Sequence, residues 1–153
     1  STLHAANAMQ AMRRIINFFP EIMHAQLQLD LATNLRGVIS QRLLPGLRGG
    51  RVLAAEVLLH SAYVADLILR GSFDSLKQAI EKSGVVGMQS FDQCLFRMVK
   101  EGLIEQEEAL RAADSRDGLA LKFRLSEGAD GEHDPYADVT AMPITPTISH
   151  GYT

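Results

Sequence analysis

The 153-residue chain has a single cysteine and lacks any long apolar run. Because Cys94 is the only cysteine, a disulfide within the chain and a zinc site of four cysteines from it are excluded. The apolar neighbours of Cys94 favour a buried structural thiol. No apolar run approaches the roughly 18 residues that a membrane-spanning helix needs, and no signal peptide is recognisable. These absences are typical of a protein from a reducing compartment.

The chain also lacks a surplus of positive charge. Its formal net charge is −3, so composition gives no signature of nucleic-acid binding. The charge is uneven, because residues 127–153 carry five carboxylates and no lysine or arginine, which leaves a mildly basic remainder. Gly, Asp, Pro and Thr dominate from residue 126 onward without any hydrophobic period, and we predict that residues 126–153 form a disordered acidic tail.

Motifs of the common enzyme classes are missing. There is no GxxxxGK[ST] phosphate loop, HExxH metal motif, GxSxG nucleophile motif or paired-cysteine site. The five histidines are scattered, and no two share a metal-ligand spacing on one helix face. The residue types alone therefore assemble no catalytic constellation and no metal site.

Hydrophobic periodicity predicts an α/β fold. Pro20 separates the first two helices, and the loop PGLRGG joins two strands as a hairpin. We predict helices over residues 5–19, 21–38, 62–69 and 73–82, a strand pair over 39–44 and 51–59, and a last strand over 118–125, whose text GLALKFRL alternates in part.

Residues 87–113 carry the clearest signals for where helices begin and end, and they predict two helices joined by a turn. Ser90 and Gln93 form a capping box, in which each side chain satisfies a free backbone N–H of the helix start. Gly102 follows as a left-handed stop, and a second helix begins after it.

The sequence of these two helices would also fit a winged-helix DNA-binding module. The second helix would then enter the groove of DNA, but Glu105, Glu107 and Glu108 in its first turn would face phosphates there. A structural helix pair is the simpler interpretation, and no nucleic-acid partner is expected.

Several stretches, in order, resemble the C-terminal part of the type IV pilus retraction ATPases, the twitching-motility motors of PilT/PilU type. The first, STLHAANAMQAMRRIINFFP, resembles the second half of the histidine box of this family and the helix after it. The others are NLRGVISQRLLP (34–45), GGRVLAAEVLL (49–59), GMQSFDQCLFRMVKEGLI (87–104), EEALRAADS (107–115) and GLALKFRL (118–125). The text INFFP and the acidic tail favour the PilU-like branch.

The resemblance implies a RecA-like P-loop ATPase core followed by a helix-rich subdomain. Residues 1–60 would be the end of that core, residues 61–125 the helical subdomain with its final strand, and residues 126–153 the tail. The intact protein would be a hexameric motor that hydrolyses ATP with Mg²⁺ and powers pilus retraction. The Walker A and Walker B motifs of the family precede the histidine box, so no nucleotide is expected to bind tightly to these residues alone.

The resemblance also implies partners and a location. These are other copies in a hexamer, a partner retraction ATPase, and the pilus platform protein at the cytoplasmic face of the inner membrane. A non-catalytic interaction or regulatory module of the pilus motor is the alternative.

Three residues are candidates for the nucleotide site. His4 matches the second histidine of the histidine box and is the candidate catalytic residue, and Thr2 belongs to the same box as a nucleotide contact. Arg42 could approach a γ-phosphate bidentately, although a structural role fits it equally well. Residues 63–70 align partly with the AIRNLIRE helix that the family needs for retraction, but Arg70 stands at the position of its last glutamate.

Overall fold

The computed structural model describes residues 2–130, with the backbone alone for residues 128–130. Two 3-10 turns, Glu21–Met23 and Phe73–Ser75, precede the second and fourth helices. In chain order the elements are α1 (Ala8–Asn17), α2 (His24–Asn34), β1 (Gly37–Pro45), β2 (Arg51–Leu59), α3 (Ala62–Leu69), α4 (Leu76–Glu81), α5 (Phe91–Lys100), α6 (Gln106–Ala112) and α7 (Arg116–Asp130).

Strands β1 and β2 form the predicted antiparallel hairpin, in register from Gly37 opposite Leu59 to Pro45 opposite Arg51. The predicted helix over residues 21–38 is wrong at its C-terminal end. Leu35 is already extended, with φ −61° and ψ 130°, since the residues after it exchange backbone hydrogen bonds with β2.

Side chains cap three of the helices, including α5, whose cap the sequence predicts. Ser61 accepts from the backbone N–H of Val64 at the start of α3. The capping box of α5 is complete, because Ser90 accepts from the Gln93 N–H while the Gln93 side chain accepts from the Ser90 N–H. Asn7 is a simple cap of α1, since its Oδ1 accepts from the backbone N–H of Gln10 at 3.0 Å; we did not predict this cap.

The predicted strand over residues 118–125 is wrong, because these residues lie inside α7. Leu119 and Phe123 are each 2% exposed, whereas Leu121 and Leu125 are 50% and 66% exposed. A spacing of four fits one helix face as well as one face of a strand, so the alternation misled the period assignment. Residues 126–130 continue the helix, so the predicted disorder is wrong for them; the remaining predicted tail, 131–153, lies outside the described residues.

Two apolar clusters form the interior. The first cluster joins α1, α2, α3 and α4 to Leu58 of β2. The second cluster joins α5, α6 and α7 to Leu44 of β1 and Ala54 of β2. The hairpin therefore serves both clusters with one face, and the predicted mixture of helices and strands is confirmed. The division at residue 60 into core end and subdomain stays a prediction, since α3 and α4 share a cluster with α1 and α2.

The opposite face of the hairpin is apolar but exposed. Ile39, Leu43 and Leu53 are 66%, 59% and 51% exposed, and we call these three residues the outer hairpin face. An isolated two-stranded hairpin is marginally stable in water, so this sheet depends on the helices packed against its inner face.

Candidate functional site

A groove of about 950 Å³ runs between the N-terminal segment, α1 and the start of β1. Its floor is apolar and includes Met12 and Ile15 of α1 together with Val38 of β1. Thr2 and His4 contribute polar groups to its lining. An apolar concave floor with a few polar groups on its rim is the usual composition of a ligand site.

The structure brings two of the three predicted site residues together. Thr2 and His4 are both exposed on this groove. Arg42 does not line it. The role of all three residues at a nucleotide stays a prediction.

Arg42 lies at the inner face of the hairpin and makes four contacts there. Its Nη2 donates to Asp114 Oδ1 at 2.6 Å and to the carbonyl of Ala6 at 3.1 Å, and its Nη1 donates to the carbonyl of Ala112. The guanidinium also lies 3.9 Å above the ring of Phe91. The side chains of Arg42 and Asp114 are 22% and 13% exposed, so this ion pair is largely shielded from water. These contacts match the structural alternative that the sequence left open for Arg42.

Glu56 is a functional candidate that sequence reasoning missed. It is only 2% exposed, and its Oε1 accepts from the backbone N–H of Ala8 at 2.6 Å and from the hydroxyl of Ser40 at 3.5 Å. Burial raises the pKa of Glu56 above its ordinary value of 4.5; the Ala8 amide opposes this effect, the Asp114 carboxylate adds to it, and Arg42 opposes it. The available signal was a lone carboxylate inside the otherwise apolar strand text VLAAEVLL.

Three successive residues at the start of α1 form hydrogen bonds with Arg42, Asp114 and Glu56. The carbonyl of Ala6 accepts from Arg42, the side-chain amide of Asn7 donates to Asp114 Oδ2 at 3.2 Å, and the N–H of Ala8 donates to Glu56. We call Arg42, Glu56 and Asp114 the charged cluster. It holds the chain at the point where the N-terminal segment enters α1.

Asp92 is a second buried carboxylate and lies between the two apolar clusters. Its Oδ2 accepts from Lys77 Nζ of α4 at 2.6 Å. Its oxygens also accept from the backbone N–H groups of Asp114 and Ser115, at 2.8 and 3.1 Å. Asp92 therefore ties α4 to the turn that leads into α7.

Cys94 is buried and not in a disulfide, as its sequence context predicts. Among residues 2–130, no group of three or more His, Cys, Asp or Glu side chains could hold a metal ion. In the same part of the chain, every helix is too short or too polar to span a membrane.

No protein-family model matches the chain. Several curated proteins are similar to it. The type IV pilus ATPase PilU of Pseudomonas aeruginosa is 43% identical over 134 residues, which cover 87% of this chain and 35% of that protein. The retraction ATPase PilT of the same organism is 35% identical, with 73% of this chain and 33% of that protein covered. A twitching motility protein of Neisseria gonorrhoeae is 32% identical, with 78% and 32% covered. The chain spans about a third of the length of these relatives.

Solved structures give the same result for the fold. The pilus retraction motor PilT with bound ADP superposes with a TM-score of 0.68 at 33% identity, covering 76% of this chain and 32% of that one. The ATPase DotB of Legionella pneumophila, at 24% identity and a TM-score of 0.58, shares the fold. The fold matches the C-terminal part of these ATPases. The chain belongs to the type IV pilus retraction ATPase family and is PilU-like.

Proposed function

We propose that these residues act as the C-terminal portion of a hexameric, ATP-driven motor that retracts type IV pili. The intact protein would bind ATP with Mg²⁺, hydrolyse it, and use the resulting opening and closing of its ring interfaces to withdraw the fibre. It would work at the cytoplasmic face of the inner membrane, beside the pilus platform protein and a partner retraction ATPase.

The similarity to PilU over 87% of the chain carries this proposal. The shared fold with PilT supports it, because the solved PilT holds ADP and its superposition covers 76% of this chain. Function assigned from a family likeness needs support from a site, and the groove that His4 lines is our candidate for it.

The groove has groups suited to a nucleotide neighbour. The imidazole of His4 and the hydroxyl of Thr2 can both donate hydrogen bonds to phosphate oxygens. Both side chains are exposed on the groove, so an approaching ligand displaces no packed core residue. We propose that His4 and Thr2 contact the nucleotide, with His4 as the residue that acts in hydrolysis.

The outer hairpin face is a candidate contact surface for the rest of the intact protein. Large apolar side chains exposed on one face can mark a contact site, and Ile39, Leu43 and Leu53 are all more than half exposed. We propose that it packs against the preceding ATPase core of the intact motor.

The experiment that tests the function uses the full-length protein that contains these residues. In a strain that lacks the gene, the wild-type gene should restore twitching, and the purified protein should hydrolyse ATP. His4→Gln should reduce hydrolysis at least tenfold, the loss expected for removal of one transition-state contact.

His24→Gln is the matched control, because His24 bonds the carbonyl of Phe19 and lies outside the groove. It should retain full ATPase activity. Equal activity of wild type and His4→Gln would remove His4 from the site. A full-length protein that assembles but neither hydrolyses ATP nor restores twitching would favour the regulatory module instead.

Arg70 tests the partial match of α3 to the retraction helix of the family. Its side chain is 71% exposed and pairs with Asp66 on the same helix at 2.9 Å, so Arg70→Glu should leave the fold intact. We expect altered twitching with unchanged ATPase activity, because the exposed face of α3 would transmit work rather than perform chemistry. Unchanged twitching would remove this segment from the mechanism.

A further inference from the structure

The charged cluster bonds to the end of the segment whose polar residues, Thr2 and His4, line the groove. Arg42 and Asp114 come from elements 72 positions apart in the chain, yet both contact the residues just before α1. Glu56 receives the N–H of Ala8, the first residue of α1. Three successive residues are therefore fixed by three different side chains.

We propose that Arg42 and its partners Asp114 and Glu56 are positioning residues that set where His4 stands in the groove. This inference rests on the proposed function, because it assigns these residues a role toward the nucleotide. None of the three lines the groove, so they act through the segment and not on a ligand.

The geometry explains why an arginine serves here. The guanidinium presents several N–H donors in a fixed fork, and it uses them on a carboxylate and two carbonyl oxygens at once. The ring of Phe91, which is fully buried, supports its flat face. A buried ion pair is weak evidence for stability, and its best-attested use is to fix one arrangement among alternatives.

The segment upstream of α1 is held at two points, and the charged cluster supplies one of them. One is the carbonyl of Ala6, held by Arg42. The other is the carbonyl of His4 itself, which accepts from Arg14 Nη1 at 3.0 Å. With its backbone held on both sides of Ala5, the segment presents the imidazole of His4 from a defined place. Movement of α6 and the turn after it would pass to His4 through Ala112 and Asp114, because Arg42 bonds both.

The test uses hydrogen exchange in the full-length protein, so its first readout does not depend on activity. Arg42→Gln should speed exchange at amides 3–10 by about tenfold, while residues 64–68 in the buried part of α3 change less than about twofold. Asp114→Asn keeps the side-chain shape, so it should give a smaller increase at the same amides, and it decides the matter if Arg42→Gln does not fold.

Arg111→Gln is the matched control, because Arg111 makes only exposed ion pairs, with Glu107 and Glu108 of its own helix. It should change neither region. Unchanged exchange at amides 3–10 in both cluster variants overturns the proposal. Equal acceleration in α3 and α5 overturns it too, because the cluster would then serve general stability.

A second readout separates positioning from binding. Asp114→Asn should lower kcat for ATP by about tenfold and leave KM within about twofold, since a misplaced histidine affects the reacting geometry more than ground-state binding. A raised KM with unchanged kcat overturns the proposal. If the wild-type protein hydrolyses no ATP, the proposed function fails, and the exchange pattern alone decides whether the cluster positions the segment.

Discussion

The two apolar clusters of this molecule differ in how complete they are. The helices of the second cluster carry stabilising contacts of their own. These are the capping box of α5, the ion pairs of Arg111, and the stacked rings of Phe96 and Phe123, whose centroids are 5.1 Å apart. The first cluster borders the groove and a corner where Phe18 and Ile22 are 61% and 92% exposed. The first cluster is therefore the less enclosed of the two.

This difference has a consequence for function. A self-contained helical cluster can move as one body, whereas a cluster with an open groove can take a ligand or a neighbouring domain. The hairpin and the charged cluster lie between the two apolar clusters, so a displacement of one apolar cluster would be transmitted to the other. The following variants test this description, from the largest expected effect to the smallest.

Phe91→Ala should have the largest effect. Phe91 is fully buried in the second cluster and also supports the guanidinium of Arg42, so we expect the free energy of unfolding to fall by about 3–5 kcal/mol. Urea denaturation measures it. Phe18→Ala is the control, and its exposed ring should cost less than about 1 kcal/mol. Similar losses in the two variants would contradict the burial contrast.

Asp92→Ala tests the connection between the clusters. Removal of a buried carboxylate leaves Lys77 and two backbone N–H groups without their acceptor, so we expect a loss of about 2–3 kcal/mol. Asp74→Ala is the matched control, since its pair with Arg13 is exposed and such pairs contribute less than about 1 kcal/mol. Equal melting temperatures of the two variants would show that Asp92 does not join the clusters.

The helix caps offer a comparison of one device in both clusters. Ser90→Ala removes half of a capping box from a fully buried residue, and we expect a loss of about 1–2 kcal/mol. Ser61→Ala removes a simple cap from α3, and we expect a loss of about 0.5–1 kcal/mol. Thermal unfolding of both variants gives the order. A larger loss for Ser61→Ala would mean that the first cluster depends more on its local signals than the second.

Local signals explain which parts of the fold the sequence predicts. The cap of α5 and the stop at Gly102, whose φ is 66°, need only neighbouring residues, so a pattern finds them. The end of α2 and the state of residues 118–125 depend on partners far along the chain. Leu35 leaves the helix because β2 is available, and Leu119 and Phe123 choose the helix because their shared face meets the second cluster.

The candidate site divides in the same way. Thr2 and His4 carry a recognisable family text, so the sequence alone points to them, and the groove brings them together. Glu56 and Asp114 carry no local motif, and only the fold shows that they meet Arg42. Contacts over 72 positions cannot be deduced from spacing, which is why the charged cluster was missed while its arginine was singled out.

Glu56→Gln should give the smallest effect, and its sign is specific. Burial raises the pKa of Glu56 in the folded chain above its value in the unfolded chain, which stays near 4.5. The folded chain therefore binds this proton more tightly than the unfolded chain does. The stability that this group contributes is therefore full below pH 4.5 and is lost as pH rises through the folded pKa.

Gln is a neutral isostere that can still accept from the N–H of Ala8, so the variant should lose this pH dependence. The charged groups that face Glu56, Arg42 and Asp114, are present in both proteins, so the difference in unfolding free energy between them isolates Glu56. That difference, from urea denaturation between pH 4 and 8, should move in favour of the variant as pH rises. A wild-type chain that instead gains on the variant with rising pH would mean that Arg42 and the Ala8 amide outweigh burial, and that the charged cluster stabilises the fold as well as orienting its N-terminal segment.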